Sequence, residues 1–589
     1  MTVPMNAPSW NLTDLFSNYD SPSIKAYIDD LNKEVVSFVA MYKEKVMRLT
    51  GADLNKAIKQ YEVISDKMGK ISAYAYLQYA QDRSDTKIGA FYQNVYEQTN
   101  QLSAQLLFFT LELNQLTDGH LTKLYDQELL LRHYIPWINC VRLFKDHQLS
   151  DEMERLMQEK SIPAEGAWIR LYDELCADMR FEINERMYPI ADVLDRLMHQ
   201  DEKVRKSAAL ALSKGLKDNS RAFAMIMNTL SQNLSLNNKW RKFQNIDSFR
   251  HLENQIDAEV VDALTTCVKS AYGKLSHHYY ALKAKKFGKN KLQYWDRNAP
   301  YPTSRELDIA WDKAKDIVLT AYHQFSPDMA KIAETFFEKN WIDAALRPGK
   351  DSGAFSCAVA PSSHPYILMN YHGKQRCVMT LAHELGHGIH QVLAREQGAL
   401  MADTPLTLAE TASVFGEMLT FRSLLKNAAA EQKTYLLAGK IEDMLNTVVR
   451  QIAFYEFEKR IHTARLEGEL SVEDISAIWM AVQSESLGDA IQLDESYHMY
   501  WAYISHFIHA PFYVYAYAFG DCLVNSLYAY YQENPLGFQE KYIELLKAGG
   551  TKRYDEALKP FGFNLKDPNF WNKGLSMIEE LIQEFESCS

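Results

Sequence analysis

The sequence predicts a mainly α-helical protein with one small β element near its middle, and three observations carry that expectation. The first is proline placement: none occurs between Pro22 and Pro136, or between Pro405 and Pro511. Such gaps favour helix, because a proline removes a backbone donor and clashes with the preceding turn. The second is apolar periodicity in YEVISDKMGKISAYAYLQYAQ and NVYEQTNQLSAQLLFFTLELNQL, which follows the spacing of packed amphipathic helices. The third is the confinement of strand signals to KLQYWD, which runs into the turn-rich RNAPYPTS, and to GAFSCAVAPSSHPYILMNY, residues 353–371. The latter reads as two short strands joined by a Pro/Ser turn.

Taken in order, residues 1–180 read as a helical N-terminal domain and 181–589 as a second domain carrying the chemistry. A chain of 589 residues that is 47% hydrophobic can bury a large core. Its net charge of -12 argues against nucleic acid as a partner, since phosphate-tracking surfaces depend on a positive field. The run Lys283, Lys285, Lys286, Lys289, Lys291 is expected to be a solvated helix end. The start, MTVPMNAPSWNLTDLF, has neither a basic leader nor an apolar core, and no apolar run is long enough for a bilayer. A cytoplasmic protein without a membrane partner is expected; oligomeric state has no signature. The seven cysteines form no CxxC pair, which suits reduced thiols better than disulfides or a zinc ribbon. A metal is therefore to be sought among histidines and carboxylates.

The hairpin at 353–371 has two readings. YILMNY is either a buried strand or an edge strand to which an extended peptide pairs by main-chain hydrogen bonds. On the second reading Tyr366, Ile367, Leu368 and Met369 bind substrate.

The next element, TLAHELGHGIHQ (380–391), reads as one helix with Val378, Leu381, Leu385, Ile389 and Val392 facing the core. His383 and His387 share another face at i and i+4, where two imidazoles can converge on one ion at about 2.0–2.1 Å, as zinc requires. Glu384 lies about 100° around the helix from His383, so it is poorly placed as a ligand and well placed to face a water in an open coordination position. His390 is about 10 Å along the axis from His383, too far to share the ion, and reads as a structural histidine. Gly386 and Gly388 cost about 1 kcal/mol each relative to alanine within a helix, a cost that fits a place where another backbone comes close.

A catalytic zinc needs a third protein ligand and an open position. The metzincin spacing needs Gly at 390 and His at 393, where this chain has His390 and Leu393. The spacing of the thermolysin and aminopeptidase kinds falls on Leu406 and Thr407. The next helical carboxylate is Glu410, in TPLTLAETASVFGEMLTF. Thr404 as N-cap with Pro405 at the first helical position puts Glu410 in the second turn, free to ligate; a capping box from Thr407 to Glu410 is the alternative. Asp403 is the weaker ligand candidate. Glu417 is too far along the helix to share the ion and can instead accept from a ligand histidine.

TLAHELGHGIHQ followed by LTLAETASVFGEML resembles the metal motif of oligoendopeptidase F, a bacterial branch of the thimet-oligopeptidase-like zinc peptidases, including the glutamate that is third ligand there. WNLTDLF, DRNAPYP, GAFSCAV, PYILMNY, RQIAFYEFEKRIH (450–462), HFIHAPFYVYAYAFG (506–520) and LKAGGTKRYDEALKPFGFNLKDPNFW resemble stretches of that family in the same order, over nearly the whole chain. Arg376 and Cys377 depart from the small or acidic residues expected there. The resemblance implies a two-lobed, zincin-like metallopeptidase with a deep channel, a small β-sheet beside the histidine helix, and cleavage of short peptides. It implies one Zn2+ per chain on His383, His387 and Glu410, within a catalytic domain (181–589) whose metal site lies at 380–420. His506 matches a histidine that contacts substrate in the family, and Tyr513 and Tyr517, four apart and so expected on one helical face, are the best matches for its tyrosines; Tyr515 stays open.

The function expected is that of a zinc metalloendopeptidase hydrolysing internal bonds of short peptides, with Glu384 as general base. A dipeptidyl-carboxypeptidase-like exopeptidase on the same scaffold is the near alternative. A zinc-containing but inactive peptide-binding protein is the alternative of another class, against which Glu384 speaks, because binding alone needs no base.

Overall fold

A computed structural model describes residues 7–301 and 308–588; the end of the turn-rich stretch, 302–304, lies outside them. Helices dominate, and the strands are two or three residues long. The chain forms two compact units, each assembled from three stretches. The first comprises Met1–Lys145, Glu306–Asn427 and Tyr530–Phe563, the second Asp146–Arg305, Ala428–Ala529 and Asn564–Ser589. A sequence division at residue 180 is a different partition, because each compact unit draws on stretches far apart in the chain.

In the first unit the proline-free stretch becomes long helices at Pro22–Tyr42, Gly51–Gln81 and Thr86–Gln115. Their starts are written in the sequence: Ser21, Thr50 and Asp85 accept backbone N–H groups of the first turn, and Pro22 takes the first helical position. Leu31, Val35 and Phe38 of the first helix pack with Leu54 and Ile58 of the second and Leu102, Leu106 and Phe109 of the third, the three-and-four spacing of a core-facing stripe. The WNLTDLF stretch covers the small sheet. Trp10 meets Tyr366 edge to face at 5.8 Å, and the Tyr366 hydroxyl donates to the Asn11 carbonyl at 3.1 Å.

The expected hairpin is present, with Phe355–Cys357 antiparallel to Tyr366–Leu368 and Ser356 opposite Ile367. A third strand, Ile342–Asp343, lies parallel on the other side of Tyr366–Leu368. The edge-strand reading of Tyr366, Ile367, Leu368 and Met369 is thereby corrected. All four are fully buried, and the Ile367 and Met369 amides donate to the Trp341 and Asp343 carbonyls at 2.9 Å. A strand paired on both sides has no main-chain edge left for a peptide.

In the second unit Leu292–Gln293 runs parallel to Ile491–Gln492, and Phe181–Ile183 antiparallel to Arg186–Tyr188. The KLQYWD strand ends after two residues because Asp296 turns the chain: its carboxylate accepts from the Gln293 amide at 3.3 Å and from Arg205 and Lys289 at 2.6 Å each. The lysine run is also corrected in part. Lys285 and Lys291 are exposed, but Lys283 is buried and donates to Glu442 at 2.6 Å and to the Arg297 carbonyl at 2.7 Å. No helix among the described residues is long and apolar enough to cross a membrane.

Candidate metal centre

The chain leaves the small sheet and enters the helix Gln375–Ala394. Val378, Leu381, Leu385 and Ile389 are fully buried on one side. The His383 and His387 rings lie on another, 4.8 Å apart at 79°. Arg376 is exposed in the first turn, whereas Cys377 is buried and its sulfur receives the His372 amide at 3.4 Å.

A second helix, Thr411–Asn427, crosses this one at backbone contact. The glycines explain how. A Cβ on Gly386 would lie 2.5 Å from both the Ala412 carbonyl oxygen and the Ser413 Cα, and one on Gly388 would lie 2.6 Å from the Phe336 ring. Gly416 answers from the opposite helix: its Cβ would strike the Tyr322 hydroxyl, which donates to the Ala382 carbonyl at 2.9 Å. The Tyr542 hydroxyl fixes the start of the second helix by donating to the Thr411 carbonyl at 2.9 Å.

Glu410 sits at the break between a single turn, Leu406–Ala409, and this helix. The expected helix start is corrected here: Pro405 is the N-cap and Leu406 the first helical residue. Thr404 does not cap, because its hydroxyl bonds His390 Nε2 at 3.1 Å. Glu410 Oε2 lies 3.5 Å from Nε2 of His383 and 3.5 Å from Nε2 of His387, and the donor atoms of the three residues lie within 4.8 Å of one another. Tetrahedral coordination with bonds of about 2.0–2.1 Å separates neighbouring donors by about 3.3–3.4 Å, so a His/His/Glu set of this size fits one zinc-like ion. The Ser413 hydroxyl donates to Glu410 Oε2 at 2.7 Å and steadies that carboxylate. Glu417 Oε1 accepts from His383 Nδ1 at 2.6 Å, which turns Nε2 toward the centre.

The electrostatics suit a cation. Burial works against a His383 imidazolium, but the Glu417 hydrogen bond and the charges of Glu417 and Glu410 more than offset it and push the ring up to about 9. Burial takes His387 down, helped by His383 and opposed by Glu410. Burial also lifts the Glu384 carboxyl to about 7, with His383 pulling down and Glu410 and Glu417 pushing up. His390 is buried and stands outside the cluster; burial, then neighbouring His387, lowers it to about 4, so it is a neutral hydrogen-bonding ring. Asp403 is exposed and also outside the cluster.

His506, Tyr513 and Tyr517 belong to the second unit and form a cluster there. His506 Nε2 lies 3.2 Å from the Tyr517 hydroxyl, and the two tyrosine rings are 5.3 Å apart. Tyr513 precedes the helix Tyr515–Glu533, so the pair meets through a turn and not along one helical face. Tyr515 is different. It is fully buried, and its hydroxyl is bonded by Asn254 Nδ2 at 2.8 Å and His251 Nδ1 at 3.1 Å.

Sequence reasoning missed Ser413, Gly416, Tyr322 and Tyr542. Ser413 had a local signal, since i+3 from Glu410 is within reach on a helix. Tyr322 and Tyr542 act across long sequence separations and left none.

The sequence profile of Peptidase family M3 matches residues 197–577, and that described as Oligopeptidase F matches 112–181. Oligopeptidase PepF of Bacillus subtilis is 27% identical over 98% of this chain and 87% of its own length. An oligoendopeptidase F homolog of Borreliella burgdorferi is 28% identical over 94% of each chain. Among solved structures, a putative peptidase from Chlamydophila abortus aligns with a TM-score of 0.87 at 23% identity over 99% of each chain. Oligoendopeptidase-F from Enterococcus faecium aligns with 0.72 at 22% identity, over 97% of this chain and 99% of that one.

Proposed function

The chain belongs to peptidase family M3 and is a peptidase, and from that premise we propose that it is a zinc-dependent oligoendopeptidase acting on short peptides in the cytoplasm. The convergence of His383, His387 and Glu410 within 4.8 Å carries the reading. Those three residues would hold one zinc per chain, with Glu417 and Ser413 fixing the orientation of His383 and Glu410. We retain residues 1–180 as the N-terminal helical module and 181–589 as the catalytic one.

Zinc, when bound, supplies a Lewis acid and lowers the pKa of a water toward about 7. The residues do the rest. Glu384, buried beside the ligands, takes the proton of the attacking water and returns it to the leaving amine. Tyr513 and Tyr517 donate to the oxygen on which charge develops, and His506 orients the substrate. Among the described residues the outer strand Phe355–Cys357 is unpaired on one side, but the Ser356 carbonyl there already accepts from Gln391 Nε2 of the histidine helix at 3.1 Å, and the Ser356 hydroxyl donates to Gln391 Oε1 at 2.8 Å.

A fluorogenic peptide blocked at both ends tests this reading. Cleavage at an internal bond, abolished by a chelator and restored by zinc, is the expected result. Cleavage of only the unblocked peptide would assign the exopeptidase alternative, and binding without cleavage the inactive one.

A further inference from the structure

The second unit contains a cavity of ≈ 210 Å³ lined by Arg297, Arg450, Tyr294, Tyr497, Tyr500 and Tyr503. Both arginines come from family-like stretches, 296–302 and 450–462, that the metal cluster does not use. Neither guanidinium is ion-paired to a carboxylate among the described residues; burial weighs most on both charges, followed by phenols around Arg297 and, for Arg450, by Arg297 and then phenols. Nearby acids are already matched. Glu442 is held by Lys283 and the Tyr279 hydroxyl at 2.6 Å each, and Asp296 by Arg205 and Lys289.

Arg297 is 9% exposed, and Arg450 Nε is buried without a partner. The Arg450 guanidinium lies over the Phe454 ring at 4.9 Å and donates through Nη2 to the Tyr503 oxygen at 3.2 Å. A buried charge without a counter-charge is costly, and two of the same sign lining one space are costlier. The phenols do not neutralise them: the Tyr497 oxygen accepts from Arg297 while its proton goes to Gln483 at 3.3 Å, and Tyr500 donates to the Ala209 carbonyl at 3.2 Å. Tyr503 accepts from Arg450 and so keeps its own proton for a ligand.

We infer that this cavity is a carboxylate-binding site, which takes the free C-terminal carboxylate of a short peptide or amino acid through Arg297, Arg450 and Tyr503. A planar guanidinium fork matches a carboxylate. The volume lies below the roughly 300–1,000 Å³ of drug-sized pockets, which limits the occupant to one residue. The apolar lining of Leu197 and Trp295 favours an apolar side chain on that residue. Every peptide bond hydrolysed by a peptidase creates such a carboxylate, so the ligand is a substrate end or a product. The assignment does not depend on the metal reading.

Calorimetric titration of the intact protein tests it, with 1,10-phenanthroline present so that no metal competes and no carboxylate-bearing chelator interferes. N-acetyl-L-leucine is expected to bind saturably at one per chain, and N-acetyl-L-leucinamide not to bind. Arg450→Gln should weaken binding by about tenfold or more and melt no lower than wild type, because it removes an uncompensated buried charge. Should that variant fail to fold, Arg450→Lys and Tyr503→Phe carry the comparison, each expected to weaken the acid and leave the amide inert. Equal binding of acid and amide, no saturable heat, or wild-type affinity in the folded variants overturns the assignment. So does complete displacement by millimolar sodium chloride at constant ionic strength, which would make the site one for halide.

Discussion

Replacing Gly386 by alanine sets two expectations of opposite sign against each other. By helix propensity alone the change stabilises an interior helical position by about 1 kcal/mol. The crossing of the two helices reverses this. The new Cβ would lie 2.5 Å from the Ala412 carbonyl oxygen and from the Ser413 Cα, where an ordinary contact needs about 3.4 Å or more. Both atoms are backbone, so the segment has to retreat by about 0.9 Å, an overpacking that costs about 1–3 kcal/mol. The net expectation is a loss of roughly 1 kcal/mol. The metal site should suffer more, because the displaced segment carries Glu410 and the Ser413 hydroxyl bonded to it. Ligand distances tolerate only about ±0.2 Å, so zinc affinity should fall at least about 10–100-fold, as when a ligand's supporting hydrogen bond is lost. Urea unfolding of the metal-free protein and zinc competition against a chromophoric chelator read the two effects separately. A variant that unfolds at the same or higher urea and binds zinc within about threefold of wild type would refute the close crossing.

Other expectations follow from the same geometry. Glu384→Gln should keep zinc and fold while losing nearly all turnover, and metal analysis beside kinetics checks it; activity within tenfold of wild type would remove it as the base. Glu417→Gln should weaken zinc binding by about 10–100-fold, and unchanged affinity would show that the 2.6 Å bond to His383 does not orient the ring. Tyr517→Phe and Tyr513→Phe should lower kcat and kcat/KM together by about a hundredfold, whereas His506→Gln should mainly raise KM. Tyr515→Phe should do the reverse: it strands the Asn254 and His251 partners of a buried hydroxyl, costing about 1–3 kcal/mol of stability with kcat unchanged. A kinetic defect in a stable Tyr515→Phe protein would reassign the tyrosines.

What was legible in the sequence was what is local. His383 and His387 at i and i+4 and the distance of His390 from His383 follow from helix geometry over a few residues, and the long helices between Pro22 and Pro136 follow from proline placement and apolar periodicity. The glycines signalled a close approach without naming the partner, which proved to be Ala412, Ser413 and Phe336. The sheet order was not legible. Ile342–Asp343 is a two-residue strand with no periodic pattern, yet its parallel pairing turns Tyr366–Leu368 from a possible edge into a centre. Lys283 looked like part of a solvated run because its partner Glu442 lies 159 positions away. The helix start at Leu406 was misread because Thr404 is drawn off to His390, a side-chain bond that propensity cannot anticipate.

The most direct test of the metal centre is the zinc content of four purified proteins after dialysis against a competing chelator: wild type, Glu410→Ala, Asp403→Ala and His390→Ala. Wild type, Asp403→Ala and His390→Ala should each retain close to one zinc per chain, and Glu410→Ala should retain almost none. Normal retention by Glu410→Ala, or loss on replacing Asp403, would contradict the ligand set of His383, His387 and Glu410.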